Sequence, residues 1–143
     1  MNRAILIYDP DCGFCRWCLG KVLAWDRRRA VRPVALGTEE ADRLLGDMPG
    51  DEQRSSWHLV DEAGEVHSAG AGFEPLFRLL PGGGPFAAAA GRFGGAAELG
   101  YRFVSGNRGI WGKVVTDGAK RRADERIAAR LRHQVAATSG RPA

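Results

Sequence analysis

What this chain lacks narrows its function before any motif is read. No apolar run approaches the roughly 20 residues of a membrane-spanning helix. The N-terminal run Ala4 to Tyr8 stops at Asp9, too short for the apolar part of a secretory leader. A cytoplasmic location and no membrane partner are the expectation. Cysteine is scarce, three residues in 143. A disulfide-stapled framework spreads its cysteines along the chain, whereas Cys12, Cys15 and Cys18 are clustered. There is no fourth cysteine for an iron–sulfur cluster. No internal repeat is visible. The net charge of +4 is modest and does not by itself demand a nucleic-acid partner. The length suits one domain with a core of its own.

What is present is concentrated in Tyr8-Asp9-Pro10-Asp11-Cys12-Gly13-Phe14-Cys15. The continuous apolar run before it fits a strand buried on both faces. The pattern after it, Phe14, Cys18 and Val22 with Trp17, Leu19 and Leu23 alongside, has helical period. Asp9 and Asp11 are both candidate N-caps. Two thiols thus fall where a strand hands over to a helix, beside unpaired N–H groups and the positive end of the dipole. A cysteine so placed is favoured as thiolate, the nucleophilic form. In the cytoplasm a disulfide is usually transient and catalytic.

Val31 to Leu36 reads as a second strand, completing a right-handed βαβ unit. Pro33 cannot donate to a ladder, which puts this strand at a sheet edge. Thr38 caps a short helix that buries Ala41, Leu44 and Leu45. Gly46 to Gln53 reads as a polar connection. Trp57 to Val60 and Glu65 to Ser68 flank a Gly-containing turn and form a hairpin. Gly70-Ala71-Gly72 reads as a flexible joint. Phe73, Leu76, Phe77 and Leu80 mark a further helix. The order β-α-β-α-β-β-α, a four-stranded mixed sheet with CxxC at the first strand–helix junction, is the thioredoxin-like α/β architecture. Helices over Phe86 to Gly91 and Ala96 to Val104 add to it, Asn107 to Gly112 reads as loop, and Lys120 to Val135 as a charged helix. The expected division is a thioredoxin-like domain over 1–112, including its helical extension, and a basic, partly helical tail over 113–143, without fixed structure from Thr138 onward.

These residues resemble the DCC family of thiol–disulfide oxidoreductase-like proteins, named for Asp, Cys and Cys at the spacing of Asp9, Cys12 and Cys15. Val34-Ala35-Leu36, Trp57 to Asp61, the hairpin, Leu76 to Pro81, and Tyr101 through Asn107-Arg108 match the family's later landmarks in order. The likeness covers about residues 4–112. It departs at Pro10, often Gly in the family, and at Gly13, often Pro; both bear on redox potential and neither removes a thiol. Proteins of the wider thioredoxin group carry a proline just before the third strand, where this chain has Ser55 and Ser56.

The chemistry expected is dithiol–disulfide exchange, with Cys12 as nucleophile, Cys15 as resolving thiol, and Asp9 or Asp11 as proton acceptor. The partner is a disulfide- or thiol-bearing protein or a small thiol, and no cofactor is implied. Two other readings stand beside it. Cys12, Cys15 and Cys18 with His58 or His67 would make a zinc site, although Cys18 falls on the apolar face as a core thiol would. The fold could also serve as a catalytically silent scaffold for interaction. His58, inside a strand, reads first as a packed histidine. Lys120, Arg121, Arg122, Arg126, Arg130 and Arg132 outnumber Asp124 and Glu125 and read as a solvated helix face. Without interleaved aromatics, nucleic-acid binding is not expected.

Overall fold

The computed structural model describes residues 4–140. Strand β1 (Ala4–Tyr8) enters helix α1 (Gly13–Trp25), followed by β2 (Val31–Ala35), α2 (Glu39–Leu45), α3 (Gly50–Ser55), β3 (His58–Val60) and β4 (Val66–Ser68). A 3-10 turn (Ala69–Gly72) leads to α4 (Phe73–Leu79), α5 (Gly84–Arg92), α6 (Gly94–Gly106), α7 (Arg108–Val114) and α8 (Asp117–Ser139). The strands lie in the order β2-β1-β3-β4. β1 and β2 are parallel, with Leu6 beside Pro33, and β3 and β4 are antiparallel to their neighbours. This is a thioredoxin-like fold with C-terminal helices added, and Pro33 is on an edge strand.

The apolar run of β1 is continuous because both faces of the strand are covered. Ala4, Leu6 and Tyr8 join Leu19 and Leu23 of α1, Leu76 of α4 and Ile127 of α8 on one side. Ile7 joins Val34, Ala41, Leu45 and Val60 on the other. Burying each such side chain stabilises the fold by roughly 1.5–3 kcal/mol. Thr38 caps α2 by accepting the Ala41 N–H at 3.3 Å.

Several expectations change. The polar connection before β3 contains α3, a helix with no buried residue. Asn107 to Gly112 is largely helical rather than loop, because α7 docks on α1 through Trp111, whose ring centroid is 6.4 Å from that of Phe14. Gly70 and Gly72 are not a flexible joint. Both are buried, and a Cβ would stand 2.7 Å from the Glu98 Cα at Gly70 and 2.7 Å from the Trp57 ring at Gly72.

The basic segment is α8, and it is not simply a solvated face. It packs along α1 so closely that a Cβ at Gly20 would lie 2.6 Å from the Ala123 Cβ. α7 crosses the expected boundary between Gly112 and Lys113, and α8 stays helical through Thr138 to Ser139; 141–143 lie outside the described residues. Arg130 is buried with Asp26. Its Nη1 donates to the Asp26 carboxylate at 2.7 Å and to the Val31 carbonyl at 2.8 Å, and its Nη2 to the Asp26 and Leu23 carbonyls at 3.1 and 3.3 Å. The Ala30 and Val31 N–H groups complete the carboxylate's shell at 3.0 and 2.9 Å. Removing one partner of such a pair leaves a buried charge uncompensated, at a cost of about 3–5 kcal/mol. Arg130→Ala should lose stability on that scale in denaturant unfolding, well beyond Arg126→Ala on the exposed face of the same helix. Equal, small losses would show that the pair is not what fixes α8.

Candidate functional site

The tight turn after β1 brings the two thiols together. Asp9 Oδ1 accepts the Asp11 N–H at 2.9 Å, bending the chain at Pro10. The N-cap of α1 is then Cys12 itself, not Asp9 or Asp11. Its backbone is extended, and its sulfur accepts the Cys15 N–H at 3.3 Å. The Cys15 sulfur lies 2.6 Å from the Cys12 sulfur. All three cysteines are free and half-buried. Cys12 thus occupies the place a serine or aspartate would usually take, with the Cys15 N–H aimed at its sulfur.

The second thiol sits in a different environment. Burial pushes the Cys15 thiol up to about 12, with the adjacent Cys12 adding to the rise. Arg108 acts against this shift, its Nη1 lying 3.9 Å from the Cys15 sulfur. Burial likewise pushes Cys18 up to about 11. Cys15 and Cys18 line a cavity of about 440 Å³ walled by α1, α4, α6 and the chain ahead of β3. Phe14, Trp57, Phe73, Leu76 and Val104 face it, as do Tyr101 and Arg108. Phe14, Cys18, Leu19 and Val22 line the cavity, and Leu19 and Leu23 are also buried in the core.

Asp9 lines this cavity with Cys15, whereas Asp11 is exposed and does not. Neither carboxylate hydrogen-bonds a sulfur. Ser56 precedes Trp57 and β3 at the edge of the cavity, where the wider fold has its proline, and no described peptide bond is cis. Arg108 and Tyr101 are site residues that the sequence did not single out as such. Their only sequence signal was their place among the family's landmarks. The Tyr101 hydroxyl accepts the Trp57 N–H at 3.3 Å, tying α6 to the start of β3, and burial raises its pKa.

The zinc reading finds no converging ligand set. Among the described residues, the only group of three or more His, Cys, Asp or Glu with ligand atoms mutually within 4.8 Å is Asp61, Glu65 and His67, on the hairpin. His67 is there a partner of Asp61 at 2.8 Å, and the thiols are elsewhere. His58 is the packed histidine its strand position suggested. Its Nε2 donates to the Gln53 carbonyl at 3.0 Å, so Nδ1 accepts from the Ser68 hydroxyl at 2.7 Å.

A thioredoxin-like fold with a dithiol at its first strand–helix junction defines the thiol–disulfide oxidoreductase class. The model of the DCC1-like thiol-disulfide oxidoreductase family matches residues 6–114, and the chain belongs to that family. No curated protein and no solved structure matches it. No helix among the described residues is long and apolar enough to cross a membrane.

Two titrations follow. Alkylation by iodoacetamide requires thiolate, so Cys15 and Cys18 should label slowly at pH 8, with rates rising about tenfold per pH unit beyond it. Arg108→Gln should move the Cys15 profile to still higher pH, and an unchanged profile would remove Arg108 from the site. Burial holds His58 below its ordinary 6.5. The unfolded chain then takes up the proton first. The stability this histidine contributes is complete above pH 6.5 and falls as pH drops through the folded value. Between pH 7.5 and 5 the wild type should lose more Tm than His58→Gln; parallel losses would contradict the burial of a neutral ring.

Proposed function

We propose that the protein exchanges disulfides through Cys12 and Cys15, with Cys12 as attacking thiolate and Cys15 as resolving thiol. The observation that carries this reading is the unequal pair. The two sulfurs are 2.6 Å apart, close enough to join, while burial keeps Cys15 protonated. A pair so arranged has one sulfur at the helix cap, open to attack a partner, and one that keeps its proton until the second step.

The Cys12 thiolate attacks one sulfur of a substrate disulfide. A Cys12–substrate disulfide forms, and the other substrate sulfur leaves as thiolate and takes a proton. Cys15 then gives up its proton and attacks Cys12. The Cys12–Cys15 bond forms, the second substrate thiol is released, and two electrons have passed from the dithiol to the substrate. Arg108 favours the anionic Cys15 sulfur during that second step. Of the two acids considered as acceptors for the Cys15 proton, Asp9 is supported by sharing the cavity with it and Asp11 is not. The class of partner is a disulfide- or thiol-bearing protein or a small thiol, and a thiol reductant restores the dithiol.

Alkylation and mass spectrometry across a redox titration should show a reversible Cys12–Cys15 disulfide with Cys18 free throughout. Cys15→Ser should accumulate a mixed disulfide on Cys12, and Cys12→Ser should stop insulin reduction. If no internal disulfide forms at any poise, the exchange reading is wrong. A disulfide that forms without turnover would favour the silent scaffold. The measured potential of the pair, set against that of its compartment, gives the direction of electron flow.

A further inference from the structure

The cavity behind Cys15 shares Asp9, Cys15 and Arg108 with the dithiol, but most of its wall takes no part in disulfide exchange. At about 440 Å³ it falls within the roughly 300–1,000 Å³ of small-molecule sites. Its wall is apolar, with Phe14 and Val22 from α1, Trp57 ahead of β3, Phe73 and Leu76 from α4, and Val104 from α6. A space of this kind takes hydrocarbon.

Its charged and polar lining groups differ in how far they are already engaged. The Tyr101 hydroxyl holds the Trp57 N–H at 3.3 Å. Asp9, the one carboxylate in the lining, has its Oδ1 on the Asp11 N–H at 2.9 Å. Arg108 has only long contacts, 3.4 Å to the Arg54 carbonyl and 3.9 Å to the Cys15 sulfur. Among the described residues no carboxylate pairs with it. A half-buried guanidinium with unspent donors, set in an apolar wall, is matched by a carboxylate on a hydrocarbon body.

We propose that this cavity binds an apolar small molecule bearing a single carboxylate, its hydrocarbon packed against Phe73, Leu76 and Val104 and its carboxylate on the Arg108 guanidinium. Bound there, the ligand lies against Cys15 and Cys18, which share the lining. The site is a binding site in its own right and does not depend on turnover at the thiols.

Isothermal titration of the full chain with octanoate, 1-octanol and octylammonium tests it. Octanoate should bind saturably, one per chain, at least tenfold tighter than 1-octanol, with octylammonium weakest. Arg108→Gln should bring octanoate to the level of 1-octanol. Ala97→Phe and Val104→Trp place bulk in the cavity, and whichever of them keeps the wild-type circular dichroism spectrum should abolish binding. The proposal is overturned if the folded wild type shows no saturable octanoate binding, or if octanoate and 1-octanol bind alike. Octanoate binding that survives in folded Arg108→Gln or in a folded cavity-filling variant would overturn it too. Because the titration reads binding alone, its failure leaves disulfide exchange standing, and a failed redox titration leaves the cavity site standing.

Discussion

The buried pair of Asp26 and Arg130 is the interaction on which the arrangement of this molecule turns. Asp26 ends α1, the helix that carries all three cysteines, and Arg130 comes from α8, 104 positions later. A buried ion pair is seldom a net source of stability, because desolvation offsets most of the attraction. What it gives is definition. With the carboxylate and guanidinium supplied by backbone partners from α1 and β2, α8 has one register along α1. The close approach at Gly20 and Ala123 fixes the same register by sterics. α1 is therefore held on the sheet side by Leu19 and Leu23 and on the outer side by α8. The N-terminal turn where Cys12 and Cys15 meet is the first turn of a helix clamped along its length.

The two thiols then differ in their surroundings. They are one helical turn apart and share the same dipole, but Cys15 faces an apolar cavity while Cys12 caps the helix. The raised pKa of Cys15 follows from the wall behind it, whose residues come from β1, α1, α4, α6, α7 and the approach to β3. A cluster of aromatic rings, Trp57 with Phe73 and Phe73 with Phe77 and Tyr101, holds α4 and α6 in place around it. The helices added after the βαβ and hairpin core thus complete the surroundings of the dithiol.

Much of the architecture was legible because local pattern and tertiary role coincide. The unbroken apolar run of β1 means two covered faces, Pro33 means an edge, and Thr38 means a cap. The CxxC marked the strand–helix junction where the two sulfurs meet. What was not legible depends on partners far away in sequence. α7 contains two glycines and no strong periodicity, and it is helical where Trp111 docks against Phe14. Arg108 lies 93 positions from Cys15, so its charge was visible and its distance was not. Arg130 read as one more cation on a charged helix, since nothing local marks it as the residue that turns inward to Asp26. Cys12 is the cap of α1, a place the sequence assigned to the aspartates beside it, because sulfur is a weak enough acceptor that they look better suited.

The outer rim of β2 shows what else the inward turn of Arg130 achieves. Alternate residues of an edge strand point their backbone groups away from the sheet, offering a template to any passing chain. At Val31 the N–H is taken by Asp26 and the carbonyl by Arg130. Two residues on, Pro33 has no N–H to offer and is fully buried. The opposite rim, β4, is only three residues long. Neither margin of the sheet can readily recruit a foreign strand. For a protein whose reaction would tether it covalently to other polypeptides, such closure separates transient capture through sulfur from lasting aggregation through the backbone.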